Sequence, residues 1–177
     1  MYFNNETVLY LDGKFVKASE STTDLYGQTL HYGYGAFEGI RSYETEHGTK
    51  VFKAEEHYER LKKSCELVKI PFDYKVQELV EATYELLEKN NLKNAYIRPL
   101  VYCAPNMSLT KPTSVSLMIA VWDWGAYLGE KLLRLTVSSY CRPHPKSIHI
   151  EAKICGHYVN SILATTEAKD KGFDEAL

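Results

Sequence analysis

The chain has 177 residues, 45% of them hydrophobic and 25% charged, and its 21 basic and 23 acidic side chains leave a net charge of -2. That is enough apolar material for a substantial core, but there is no basic face of the kind nucleic acid or an anionic membrane would need, so neither is expected as a partner. Residues 1–6 lack a charged segment leading into an apolar run, and no apolar stretch approaches the length of a membrane span, so a soluble, cytoplasmic protein is expected. In chain order, residues 8–11 and 14–17 flank Asp12-Gly13, a dipeptide that favours a tight hairpin because both central positions take positive φ. Residues 36–43 and 50–52 read as two more strands around Glu46-His47-Gly48. A helix over 54–68 follows, with Tyr58, Leu61, Cys65 and Val68 on one face, and Pro71 stops it. Val76, Leu79, Val80, Thr83, Leu86 and Leu87 mark a second amphipathic helix that fades at Asn90-Asn91. Strands over 95–103 and 114–122 come next, joined by the loop 104–113. Residues 124–129 contain two glycines and no clear period, and they read as a linker. After it, 133–140 alternates as a strand, 157–171 forms a helix closed by Gly172, and 173–177 begins another strand.

This order predicts an α+β protein. Residues 1–123 form a small N-terminal domain, 124–131 an interdomain linker, and 132–177 the start of a larger second domain. A strand just begun after a helix, with nothing downstream to complete its sheet, reads as an interrupted chain. Cys65, Cys103, Cys141 and Cys155 are widely spaced, form no Cys-x-x-Cys pair and read as reduced thiols. No metal centre is expected. The 14 tyrosines offer rings with a polar tip, suited to pockets that hold polar and apolar groups together, although ordinary core packing accounts for most of them.

Lys153 stands out. It lies in the weakly charged turn Glu151-Ala152-Lys153-Ile154-Cys155-Gly156-His157-Tyr158, which leads directly into a helical pattern. An ammonium becomes a nucleophile only where apolar or cationic neighbours lower its pKa, and the free amine can then form a Schiff base with a carbonyl. A lone lysine is ordinarily a solvated surface group. The turn Gly33-Tyr34-Gly35 is not a dinucleotide-binding fingerprint, because its spacing to Gly39 is off by one and a strand, not a helix, follows.

The segment His31-Tyr32-Gly33-Tyr34-Gly35-Ala36-Phe37-Glu38-Gly39-Ile40-Arg41 closely resembles branched-chain amino-acid aminotransferases, fold-type IV pyridoxal 5'-phosphate enzymes. The likeness continues, in the family's order and spacing, through Glu56-His57-Tyr58-Glu59-Arg60-Leu61, Ala95-Tyr96-Ile97-Arg98-Pro99-Leu100, Trp124-Gly125-Ala126-Tyr127-Leu128-Gly129 and Ala152-Lys153 with Gly156 and Tyr158. It spans essentially the whole chain and roughly the first three-fifths of a typical member, and several ordered motifs rarely recur by chance.

The resemblance implies a transaminase that moves the amino group of leucine, isoleucine or valine to 2-oxoglutarate through a pyridoxal-phosphate Schiff base on Lys153, giving branched-chain 2-oxo acids and glutamate. It makes Lys153 the catalytic residue and Arg60, Lys153 and Tyr158 the cofactor-binding set, with Arg60 on the phosphate and the Tyr158 hydroxyl on the ring oxygen. Without the resemblance, Arg60 would be read as a helix-surface partner of Glu56. Phe37, Tyr96 and Tyr127 would form apolar walls, Gly39 would leave room for the substrate, and Arg98 with the Tyr32 and Tyr127 hydroxyls would receive the side-chain carboxylate of glutamate. A homodimer or higher homo-oligomer is implied, with Tyr32 and the loop 104–113 as candidates for reaching a neighbouring subunit. The family's acid for the pyridine nitrogen lies beyond residue 177, so the sequence reads as a portion of a longer enzyme. Two relatives on the same fold compete, a D-amino-acid transaminase and an aminodeoxychorismate lyase. The first is disfavoured because Tyr96-Ile97-Arg98-Pro99 lacks its Arg-x-His trap, the second because it lacks the pattern Phe37 to Arg41 supplies. A non-catalytic dimerising remnant of the fold is the alternative from another class.

Overall fold

The computed structural model describes residues 2–125 and 132–177. Strands β1 (Val8–Leu11) and β2 (Lys14–Lys17) pair as the expected hairpin, Leu11 opposite Lys14, with Asp12 at φ 46° and Gly13 at φ 87°. Helix α1 (Gln28–Tyr32), β3 (Gly35–Phe37), β4 (Ile40–Thr45) and β5 (Gly48–Val51) follow. Helices α2 (Ala54–Leu67) and α3 (Val76–Lys89) then lead to the long strands β6 (Ala95–Cys103) and β7 (Val115–Asp123). Among the described residues the principal sheet is antiparallel, in the order β2-β1-β7-β6-β4-β5, with β3 also on β6.

The continuous strand expected over 36–43 is two strands, interrupted at Glu38-Gly39, and the cause lies on β6. The Pro99 carbonyl accepts the Glu38 N–H at 3.0 Å. In an antiparallel strand a residue's N–H and C=O face the same neighbour, so the donor Pro99 lacks is the one that would have met Glu38.

Alternation along β6 divides the sheet into two faces. Ala95, Ile97, Val101 and Cys103 are buried in the core with Tyr58, Leu61 and Cys65 of α2, Leu79, Leu86 and Leu87 of α3, and Leu117, Ile119 and Val121 of β7. The opposite face presents Tyr96, Arg98, Leu100 and Tyr102, which are only partly buried. Inside the core, Tyr58 and Thr83 join α2 to α3 through a 2.5 Å hydroxyl contact. The loop 104–113 is tied to α1: buried Gln28 donates through Nε2 to the carbonyls of Ser108 (3.0 Å) and Thr110 (2.9 Å).

Beyond residue 131, the strand expected over 133–140 shrinks to β8 (Leu135–Thr136), paired in parallel with β9 (Glu175–Ala176). Ser138 keeps its N–H on the Leu177 carbonyl and gives its hydroxyl to the Glu167 carboxylate at 2.6 Å, and the Ser139 N–H donates to the same carboxylate at 2.9 Å. Helix α4 (Tyr158–Asp170) ends where expected, with Gly172 at φ 79°, its N–H on the Lys169 carbonyl and the Phe173 N–H on that of Ala168. No helix among the described residues is long and apolar enough to cross a membrane. The linker expected over 124–131 falls mostly outside the described residues.

Candidate active site

Lys153 itself lies outside any helix or strand, two residues ahead of the short 3-10 turn Cys155–His157 that runs into α4, so tertiary bonds must place it. Its carbonyl accepts the Phe37 N–H of β3 at 3.1 Å, and its own N–H donates to Ser64 Oγ of α2 at 3.0 Å. Ile154 forms an isolated bridge with Ala36, and the Gly156 N–H donates to the Gly33 carbonyl at 3.0 Å. The last contact is a close approach of two backbones. Gly33 closes α1 in the left-handed region at φ 65°, and a Cβ there would fall 2.6 Å from Gly156 Cα.

At the end of the side chain, Lys153 Nζ donates to the Tyr158 hydroxyl at 2.5 Å and lies 5.0 Å from the centroid of the Phe37 ring. Tyr158 begins α4 and tilts against Phe37, with ring centroids 4.8 Å apart. A cleft of about 200 Å³ is lined by Lys153, Tyr158 and Arg60, together with Arg142, Glu151 and His157. Three side chains from three elements therefore converge on one opening.

Arg60 is held by Glu38, not by the Glu56 one turn earlier on its helix. Nε donates to Glu38 Oε1 at 2.6 Å and Nη2 to Oε2 at 2.7 Å, a bidentate pair. His57 Nδ1 is 2.9 Å from the same Oε2. The Glu38 side chain is fully buried, whereas that of Arg60 is 54% exposed, so the guanidinium is oriented from inside while still open to the cleft. Burial alone would raise the Glu38 carboxyl, but the hydrogen bonds from Arg60 and His57, and their charges, hold it below the usual carboxylate range. The bond to Glu38 raises Arg60, against burial.

A depressed carboxyl stabilises the fold above its unfolded pKa, and that contribution is lost as pH falls through the folded value. Glu38→Gln is therefore expected to be about 1–3 kcal/mol less stable than the parent at pH 7. It should also lose less stability than the parent on acidification to about pH 3. Urea unfolding at the two pH values checks this, and equal losses would refute the assignment.

The Phe37 ring also meets Arg98, whose guanidinium carbon is 4.6 Å from the ring centroid, 5.1 Å from that of Tyr96 and 5.9 Å from that of Trp122. Nη2 donates to the Tyr96 hydroxyl at 2.9 Å, but buried Nε has no hydrogen-bond partner, and among the described residues no carboxylate pairs with this cation. A partly buried guanidinium on aromatic faces with an unused donor suits an anion supplied from outside. Gly39 is needed for space here, because a Cβ would fall 2.1 Å from the Tyr96 hydroxyl. Tyr96 also packs against Trp122 and Trp124, with centroids 5.0 and 4.9 Å away.

Lys153, Tyr158 and Arg60 thus share one cleft, and the Phe37 ring links it to Arg98, which bonds Tyr96 beside Gly39. Tyr32 is not among them: its hydroxyl donates to the Met107 carbonyl at 3.0 Å, and its ring lines a separate cleft with Gly33, Val68 and Gly156. Tyr127 lies outside the described residues. Sequence reasoning missed Glu38 and Ser64; the available signal for Glu38 was an acid on a strand otherwise read as apolar, which demands a cationic partner.

A model of the amino-transferase class IV family matches residues 35–177. The chain belongs to that family. This class IV chain is 39% identical over 180 residues to a branched-chain-amino-acid aminotransferase of Pseudomonas aeruginosa, covering 98% of its own length and 59% of that protein's. It superimposes with a TM-score of 0.92 and 36% identity on the branched-chain aminotransferase of Thermoproteus uzoniensis solved with norvaline, covering 96% of its own length and 58% of that chain. For the T.th. branched-chain amino acid aminotransferase solved with pyridoxamine 5'-phosphate the TM-score is 0.89 and the identity 37%, covering 97% and 59%. The class IV chain thus spans a little under three-fifths of the length of these relatives.

Proposed function

We propose that this chain carries the lysine-bearing part of a pyridoxal-phosphate-dependent aminotransferase that passes the amino group of leucine, isoleucine or valine to 2-oxoglutarate. The observation that carries this reading is the convergence of Lys153, Tyr158 and Arg60 on one cleft, with Arg98 and Lys153 both against the Phe37 ring. The donor set fits the cofactor. Lys153 supplies a primary amine for its aldehyde, Tyr158 a phenol for its ring oxygen, and Arg60 a delocalised cation for its phosphate. When bound, the cofactor would supply an electron sink for the substrate's Cα electrons. The rest of the work falls to the protein. Lys153 Nζ, freed when substrate binds, would carry the proton leaving the substrate Cα. Tyr158 orients that amine through the 2.5 Å contact. Phe37, Tyr96 and Tyr127 would exclude water and take the aliphatic side chain, and Gly39 would keep the entrance open. One methylene is worth about 1–3 kcal/mol in such a pocket, so all three aliphatic donors should react. Arg98 would pair with the side-chain carboxylate when glutamate or 2-oxoglutarate enters, and its unused Nε–H supports that role.

The finer organisation belongs to the same reading. Residues 1–123 would be the small domain, 124–131 the linker and 132–177 the opening of the cofactor-binding domain. A homodimer is supported by apolar side chains exposed on and near α1 and the loop 104–113, namely Leu25, Tyr26, Leu30, Met107 and Leu109. Tyr32 would serve a neighbouring subunit. Four free cysteines support a cytoplasmic location. Burial pushes the Cys65 and Cys103 thiols up to about 12 and 11, and two such inert thiols need no disulfide.

Borohydride reduction of the native polypeptide with pyridoxal phosphate, followed by peptide mapping, tests the assignment. The expected result is a pyridoxyl adduct on Lys153. An adduct confined to other lysines, or none in folded protein, would overturn it.

A further inference from the structure

We propose that Ser64 is a positioning residue for Lys153, so that helix α2 sets the separation between the Lys153 amine and the Arg60 guanidinium. The inference rests on the functional reading above, and it begins with the residue's location. Serine is a mediocre helix former and a buried hydroxyl is costly unless bonded, yet Ser64 sits inside α2 at 1% exposure. Its oxygen accepts the Lys153 N–H at 3.0 Å, a bond between residues 89 positions apart. The Lys153 carbonyl is taken by Phe37 of β3, so the lysine's peptide groups are fixed from two elements at once. With the main chain pinned, only the four-carbon stem remains free to reach Tyr158.

The spacing on α2 gives this bond its meaning. Arg60 precedes Ser64 by four residues, one turn along the same face, or about 6 Å of rise. The guanidinium is fixed through Glu38 and the lysine's main chain through Ser64, so a single turn of helix serves as the ruler between them. A ligand with a phosphate at one end and an aldehyde at the other must satisfy both positions together. Without the Ser64 acceptor, the Lys153 N–H is left unpaired and the lysine segment can shift while Arg60 stays on Glu38.

The test separates the two ends of the ligand. Parent protein, Ser64→Ala, Ser64→Cys and the control Thr83→Val are compared in the native polypeptide for binding of pyridoxal phosphate and of 4'-deoxypyridoxine 5'-phosphate, which keeps the phosphate and has no aldehyde. Ser64→Cys keeps the volume with a weak acceptor, so it carries the test if Ser64→Ala does not fold. Thr83→Val removes another buried hydroxyl, bonded to Tyr58 and to the Leu79 carbonyl, away from the site. The expected result is a loss of about ten- to a hundredfold in pyridoxal phosphate affinity for Ser64→Ala and a smaller loss for Ser64→Cys. Affinity for the deoxy analogue is unchanged in both, and Thr83→Val alters neither ligand. Equal losses for both ligands, or no loss for either, would reduce Ser64 to a structural residue and overturn the proposal. A parent protein that forms no adduct on Lys153 overturns the functional reading as well, a result distinct from a normal parent with an indifferent Ser64→Ala.

Discussion

Lys153→Ala in the native polypeptide is expected to lose covalent capture of pyridoxal phosphate and to lower kcat/KM with leucine by about 10⁴-fold or more. The expected size follows from how much rests on one amine: holding the cofactor and carrying the Cα proton are both assigned to Nζ. Tyr158, its neighbour at 2.5 Å, cannot replace it, since a phenol cannot condense with an aldehyde to form an imine. The fold should survive. The two bonds that place residue 153, to Ser64 Oγ and from the Phe37 N–H, are made by its main chain and persist in alanine. Circular dichroism alongside steady-state kinetics would separate loss of chemistry from loss of structure. A folded variant within tenfold of the parent would remove Lys153 from the mechanism.

Gly33→Ala is expected to cost about 2–5 kcal/mol and to release the lysine segment from α1. The left-handed backbone at φ 65° contributes about 1–2 kcal/mol of that for any residue bearing a Cβ, and overpacking adds about 1–3. The collision is with backbone: the new Cβ would sit 2.6 Å from Gly156 Cα and 2.8 Å from its nitrogen, where no side chain can rotate away. The reciprocal change provides the control. A Cβ on Gly156 meets the Gly33 carbonyl at 3.4 Å and its Cα at 3.6 Å, ordinary contacts, so Gly156→Ala should lose less than about 1 kcal/mol. Thermal unfolding of the pair checks the contrast, and equal destabilisation would show that the two backbones do not meet this way.

Elements whose cause is local were legible. Asp12-Gly13 contains its own turn chemistry, and the apolar spacing of Tyr58, Leu61 and Cys65 needs only a core to face. Elements with distant causes were not. The interruption at Glu38-Gly39 comes from a donor missing at Pro99, about sixty positions away, and no reading of residues 36–43 contains it. Residues 133–140 alternate convincingly, yet only Leu135–Thr136 are strand: the Ser138 N–H stays on the Leu177 carbonyl, while its hydroxyl and the Ser139 N–H turn to Glu167. The same distinction applies to the site. Arg60, Tyr158, Phe37 and Arg98 were selected by family motifs and not by spacing, which would have paired Arg60 with Glu56. Its actual acid, Glu38, lies at the break between β3 and β4, which helical periodicity cannot reach.

The way Lys153 is placed has a kinetic side. Its anchors are Phe37 and Ser64, one of them 89 residues earlier, and its own N–H and C=O are bonded to these and not to the 3-10 turn Cys155–His157 that follows it. Contacts this distant in sequence are made only after loop-closure entropy has been met, so they form late. The hairpin and the helices can therefore be native while the amine is still unplaced. During refolding, secondary structure should return before the capacity to capture an aldehyde, and in the folded protein a local opening at residues 153–156 would silence the site while the sheet remains intact.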